Sequence, residues 1–84
     1  MINEIAADIR VVAEFHQGRV QPRIFAWGRR RYDVAQVNAA WSDREGIWLI
    51  HHFSVQAANG GNLYELEFHP GEMRWRLLRI YTDG

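Results

Sequence analysis

The chain has 84 residues, enough for one small domain with a single core. It is 48% hydrophobic, with four Trp, four Phe and three Tyr, so it carries enough apolar surface to offset chain entropy and does not read as disordered. Ten basic residues balance ten acidic ones, which argues against holding duplex DNA by bulk positive charge, and the lack of cysteine excludes a disulfide framework, a thiolate metal site and a Cys nucleophile.

No apolar run approaches the roughly 18 residues of a membrane span and no leader pattern opens the chain, so the expected setting is soluble and cytoplasmic. All ten basic residues are Arg. A GC-rich genome is the preferred account of that bias, the alternative being a need for planar pairing and stacking.

Two-residue alternation predicts an all-β domain over residues 1–84. Met1–Ala7 is expected to be a frayed turn or helical cap, followed by a strand over 9–16 with Ile9, Val11, Ala13 and Phe15 on one face. Gln17-Gly18-Arg19 signals a turn, and a short strand over 23–27 carries Phe25 and Trp27 on one face. Gly28-Arg29 reads as a two-residue hairpin loop of type II′, which sets Trp27 against Arg30, Phe25 against Tyr32 and Arg23 against Val34. The third strand is placed at 30–41. Within it, Val34, Val37 and Trp41 fit helical spacing, but a strand bulged near Gln36–Asn38 is preferred, because the segment follows a hairpin directly and lacks a helix cap. Ser42–Gly46 is expected to be a polar turn.

The remaining strands are predicted at 47–57, 63–69 and 73–81. In the fourth, Ile47, Leu49, His51, Phe53 and Val55 share a face. Matching apolar to apolar pairs Val55–Tyr64–Leu77, Phe53–Leu66–Trp75 and His51–Phe68–Met73, with Ser54–Glu65–Arg76 and His52–Glu67–Arg74 on the other face. The fold expected is a six-stranded antiparallel meander, as a strongly twisted sheet or partly open barrel. Trp48, Ile50, Leu78 and Ile80 fall opposite the main apolar face, so either the sheet curls over them or a second subunit covers them.

Chemistry-bearing patterns are sparse. His51 and His52 are adjacent in a strand and point to opposite faces, while His16 and His69 sit beside turns, so no metal site and no cofactor is expected. Ser54 and His52 share a strand face near Glu65, but this grouping would lie flat on a solvated sheet without an oxyanion hole. Glu65 and Glu67 opposite arginines suit salt pairing more than acid catalysis. Gly60-Gly61 lies in a hairpin and not ahead of a helix, so it is not a phosphate loop. No catalytic residue is assigned, and the chain is read as non-enzymatic.

Residues 19–32 hold five arginines and no acid, interleaved with aromatics. Arg23, Trp27, Arg29, Arg30, Arg31 and Tyr32 therefore form a candidate binding surface on which single-stranded nucleic acid would stack its bases and pair its phosphates. The bland account is that Phe25, Trp27 and Tyr32 are core while the arginines pair with Glu14, Asp33 and Asp43.

The run Pro22–Val34, read P-x-x-F-x-W-G-R-R-R-Y-x-V, with Trp41, Val55-Gln56-Ala57, Tyr64-Glu65-Leu66 and the ending from Trp75 to Asp83, resembles a bacterial small-domain family of unknown function. In that family the glycine usually falls one position later than Gly28. The resemblance implies a small β domain and, through segments found beside error-prone polymerase accessory proteins, a place near DNA repair; it implies no catalytic residue. The expected function is a protein-interaction module that associates with itself or another chain and has no membrane role, the alternative being a single-stranded nucleic-acid-binding accessory domain linked to repair.

Overall fold

The computed structural model describes residues 1–82. Asp83, at the end of the family-like pattern, lies outside them. Six antiparallel strands follow one another around a ring: β1 (Ile2–His16), β2 (Arg19–Trp27), β3 (Arg30–Glu45), β4 (Trp48–Ala57), β5 (Leu63–His69) and β6 (Arg74–Tyr81). β1 closes the ring against β6, running from Ile2–Tyr81 to Ile9–Trp75. Sequential hairpins with alternating apolar residues bury one side of each strand, and the β1–β6 seam covers the outer edges that a flat sheet would expose.

The core lies inside the ring. Phe25, Tyr32 and Tyr64 form an aromatic cluster, with Phe25 and Tyr32 nearly parallel at 4.8 Å and Tyr64 5.3 Å from Phe25. Val55, Leu66 and Leu77 fill the centre, and Phe53, Phe68 and Trp75 make a second aromatic layer, Phe68 and Trp75 being 4.8 Å apart. The predicted hairpin pairs Phe25–Tyr32 and Trp27–Arg30 are present. Gly28 has φ 62° and Arg29 keeps a negative φ, as a type II′ turn requires.

Several expectations need correction. Met1–Ala7 is neither frayed nor helical: the strand begins at Ile2 and pairs with β6, with Ala6 at φ 54° where the register shifts between Glu4 and Ala7. That irregularity interrupts the alternation that made the rest of β1 legible. β2 starts at Arg19 rather than 23, paired to His16, and a bulge between Val12 and Ala13 sets Pro22 opposite Ala13. Proline is tolerated there because β2 has no partner on its other edge. Arg23 does not face Val34; β2–β3 pairing ends at Ile24–Asp33.

β3 is the bulged strand, shifting between Val34 and Gln36 and again between Val37 and Ala39. It runs on to Glu45, so the expected polar turn at Ser42–Gly46 is mostly strand and the chain reverses at Gly46-Ile47. Ile47 and Leu49 do not join Phe53 in the core. β4 pairs with β5 only from His51 onward, so residues before it project with β3 as a two-stranded ribbon and Ile47 is 82% exposed.

The β4–β5 register is the predicted one, Val55–Tyr64 through His51–Phe68. The β5–β6 register is not. Leu66 faces Leu77 and Phe68 faces Trp75, two residues from the expected alignment, and His69–Arg74 is the pair nearest the turn. Met73 adopts φ 51° in that turn and is exposed instead of pairing with Phe68. A slip of two leaves every side chain on its original face, so alternation has no power to exclude it. A further shift at Leu78 then turns Ile80 inward beside Tyr64, where it is buried, and sends Arg79 and Tyr81 outward.

Ion pairs follow the real register. Arg74 meets Asp8 through Nε–Oδ1 at 2.8 Å and Nη2–Oδ2 at 3.2 Å, and its guanidinium holds the Asp8 carboxyl below the usual carboxylate range. Arg76 donates to the Ala6 carbonyl at 3.1 Å. Arg79 donates to Glu65 at 2.6 Å and to Glu4 at 3.1 Å, and these carboxylates push its pKa further up. The expected Glu65–Arg76 and Glu67–Arg74 pairs are thus replaced by bonds that mostly tie β6 to β1.

Candidate functional site

The ring is uneven, and the unevenness makes the site. One end is tightly shut. There the β2–β3 hairpin closes, Ala58 donates its N–H to the Asp33 carbonyl at 2.9 Å, and Met1 and Thr82 exchange backbone hydrogen bonds at 2.8 and 2.9 Å. At the other end β2 and β3 part after Ile24–Asp33. β2 keeps only β1 beside it and β3 keeps only β4, leaving a cleft between two strand edges.

The cleft has a volume of about 330 Å³, with Gly18–Gln21 on one lip, Val37, Ala40, Trp41 and Ser42 on the other, and His51 and Phe53 beneath. A second depression of about 440 Å³ shares Gly18, Arg19, Val20 and His51 with it and continues past Phe15, Phe68 and Met73. Of ten exposed large apolar side chains among the described residues, seven lie in this half: Phe15, Val37, Trp41, Ile47, Trp48, Leu49 and Met73. Such a concentration on a small domain marks an interaction surface rather than random exposure.

The β3 lip is held from the outside of the ring. Trp41 stacks on His52 with ring centroids 5.4 Å apart and planes at 4°, and Asp43 approaches His52 Nε2 at 3.3 Å. Trp48 leans on Gly71, which has no side chain to displace it, and lies 6.2 Å from His69. The Glu72 N–H donates to His69 Nδ1 at 3.2 Å, bracing the β5–β6 turn from within. From Ala39 to Ser42 the β3 edge has no bulge, no Pro and no charge, the devices that normally blunt an open edge, and charges enter only at Asp43–Glu45.

The residues singled out from sequence do not gather into one surface. Tyr32 is 7% exposed with Phe25 on its ring face, so it presents no stacking face to solvent, and Trp27 is half-buried against the core. Arg23 is engaged by Glu14 and Gln21, and Arg31 lies 3.5 Å from Asp33. Arg30 sits 5.7 Å above the Tyr32 ring, and Arg29 is exposed in the turn. The cleft residues escaped sequence reasoning because β3 turns to small residues between Ala35 and Ser42. The available signal was a long strand without Pro, carrying Trp41, whose turn is followed at once by Ile47, Trp48 and Leu49.

His52, Ser54 and Glu65 share the outer face of β4 and β5. Glu65 is 5% exposed and accepts hydrogen bonds from Arg79 and from Tyr81 at 3.3 Å, while His52 points to Asp43. No group of three or more metal-ligating side chains occurs among the described residues, and no helix among them is long and apolar enough to cross a membrane. Ile50 and Ile80, two of the four residues that suggested an outer apolar face, are buried within the chain, so they offer no surface to a partner. Comparison with known proteins finds no matching family model, no matching curated protein and no matching solved structure.

Proposed function

We propose that the chain is a non-enzymatic, cytoplasmic interaction module that docks a protein strand on the open half of its barrel, the first partner being a second copy of itself. The observation that carries this reading is the β3 edge from Ala39 to Glu45, unpaired on one side and surrounded by exposed Trp41, Ile47, Trp48 and Leu49. An added strand satisfies the free backbone groups of the edge and covers the apolar side chains in one step.

Charge favours a like partner. The ribbon and its neighbouring lip carry Arg19, Asp43, Arg44 and Glu45, both signs at once, and the whole chain has equal numbers of basic and acidic residues, so two copies approach without net repulsion. Light scattering across a concentration series tests the reading. A dimer is expected that Ile47→Lys returns to monomer while leaving the fold intact, since Ile47 is 82% exposed beside the edge. Hydrogen exchange should show the Ala39–Glu45 amides slowing as the dimer forms. A wild-type chain that stays monomeric up to millimolar concentration removes self-association as the function of this edge.

A further inference from the structure

The ten arginines divide into two groups. Arg23, Arg31, Arg74, Arg76 and Arg79 each have a carboxylate within 4 Å. The others carry no such pair, and two of them, Arg10 and Arg29, line one groove of about 480 Å³ with Arg31, while Arg30 borders it with its guanidinium turned over the Tyr32 ring. The groove runs over the outer face of β1, β2 and β3, near the shut end and away from the open cleft. Arg10 and Arg31 flank Ala26 in a single cross-strand row, and Arg29 overhangs from the turn. Its floor is apolar: the small Ala26 leaves a gap between two guanidiniums, and Val12 beside it is 60% exposed.

We propose that this groove binds a nucleoside phosphate, with the phosphate among Arg10, Arg29 and Arg31 and the flat base over Ala26 and Val12. Three guanidiniums around one volume suit an anion that concentrates charge and several acceptor oxygens. A phosphate ester does so, whereas a single carboxylate is satisfied by one bidentate arginine. An apolar floor between arginine planes offers a base the sandwich it lacks in water. The volume lies within the range of small-ligand sites. This surface differs from the one read off the sequence: Arg10 enters from β1, while Arg23, Trp27 and Tyr32 drop out. It is also independent of the β3 edge.

The same chemistry arrives as a free nucleotide or as part of a single strand. Calorimetric titration with ADP and anisotropy with a labelled oligothymidylate, each at low and at physiological salt, separate the two. At least one probe should bind, and binding should fall about tenfold for each arginine removed in Arg10→Ala and Arg31→Ala. The double variant Arg19→Ala/Arg44→Ala, which removes two arginines outside the groove, should bind as wild type. Ala26→Glu puts a carboxylate between Arg10 and Arg31 and should abolish binding by a second route, independent of losing a positive charge. Binding of ADP assigns a free nucleotide, and binding of the oligonucleotide alone assigns a strand. Failure of both probes at low salt, equal weakening in the groove and control variants, or an Ala26→Glu protein that binds normally overturns the site.

Discussion

In the half of the barrel that ends at Gly28 and the two chain termini, β1 pairs with β6 and β2 with β3, and the aromatic cluster of Phe25, Tyr32 and Tyr64 fills the interior. In the half that ends at the turns of Gly18, Gly46 and Pro70–Met73, the same six strands carry similar alternation, yet Phe15, Val37 and Trp41 remain exposed. The difference does not come from side-chain hydrophobicity. It comes from the divergence of β2 and β3, which carries two bulges in β3 and one between β1 and β2 on the far side of Ile24–Asp33. Alternation decides which side of a strand is apolar, but burial also needs a neighbouring strand to complete the wall.

The comparison is most exposed to a pair of truncations. Phe25→Ala empties a fully buried site at the shut end and should cost about 3–5 kcal/mol in chemical denaturation, whereas Phe15→Ala at the open end should cost well under half of that. Equal losses would mean that the two halves are equally packed. Arg79→Ala comes next. It leaves the buried Glu65 carboxylate with only the Tyr81 hydroxyl, for an expected loss of about 1–3 kcal/mol, and Glu65→Gln in the same background should recover part of it.

Gly71→Ala sharpens the open half. A Cβ at that position collides with the Trp48 indole, so Trp48 must swing off the β5–β6 turn. The expected cost is about 1 kcal/mol, with a shifted Trp48 indole N–H resonance as the direct readout. An unchanged resonance would show that Trp48 does not rest on Gly71.

The smallest effect concerns the seam between β1 and β6. Arg74 lowers the pKa of Asp8, so the carboxylate form binds more tightly in the folded chain than in the unfolded one. That stability is present above the ordinary Asp pKa of about 4 and fades as pH falls through the lower folded value. Asp8→Asn should therefore flatten the acid limb of a stability–pH profile and leave the profile's shape above about pH 5 unchanged. A wild-type profile equally flat in acid would place the Arg74–Asp8 pair among exposed bridges of no consequence.

Six strands, their order, the Trp27–Arg30 hairpin and the inner face of β4 and β5 could be read from the alternation and the turn glycines, because a strand's period of two and the φ > 0 demand of a tight turn are local properties, whereas the burial of Ile50, His52, Glu65 and Ile80 could not. The β5–β6 register could not, since a slide of two residues keeps Leu66 and Trp75 on one face and satisfies the same apolar matching. Nor could the candidate site. The arginine-aromatic segment looked like one surface, but the ring turned Tyr32 and Trp27 inward, tied Arg23 to Glu14, and brought in Arg10 from a different strand.

The amino-acid order by itself determined an antiparallel meander with one apolar side, through short-range sterics and the hydrophobic effect. Only the tertiary structure decided where the wall fails to close and which arginines stand together. Both depend on how bulges accumulate around a ring, and that geometric sum has no local signature in the chain.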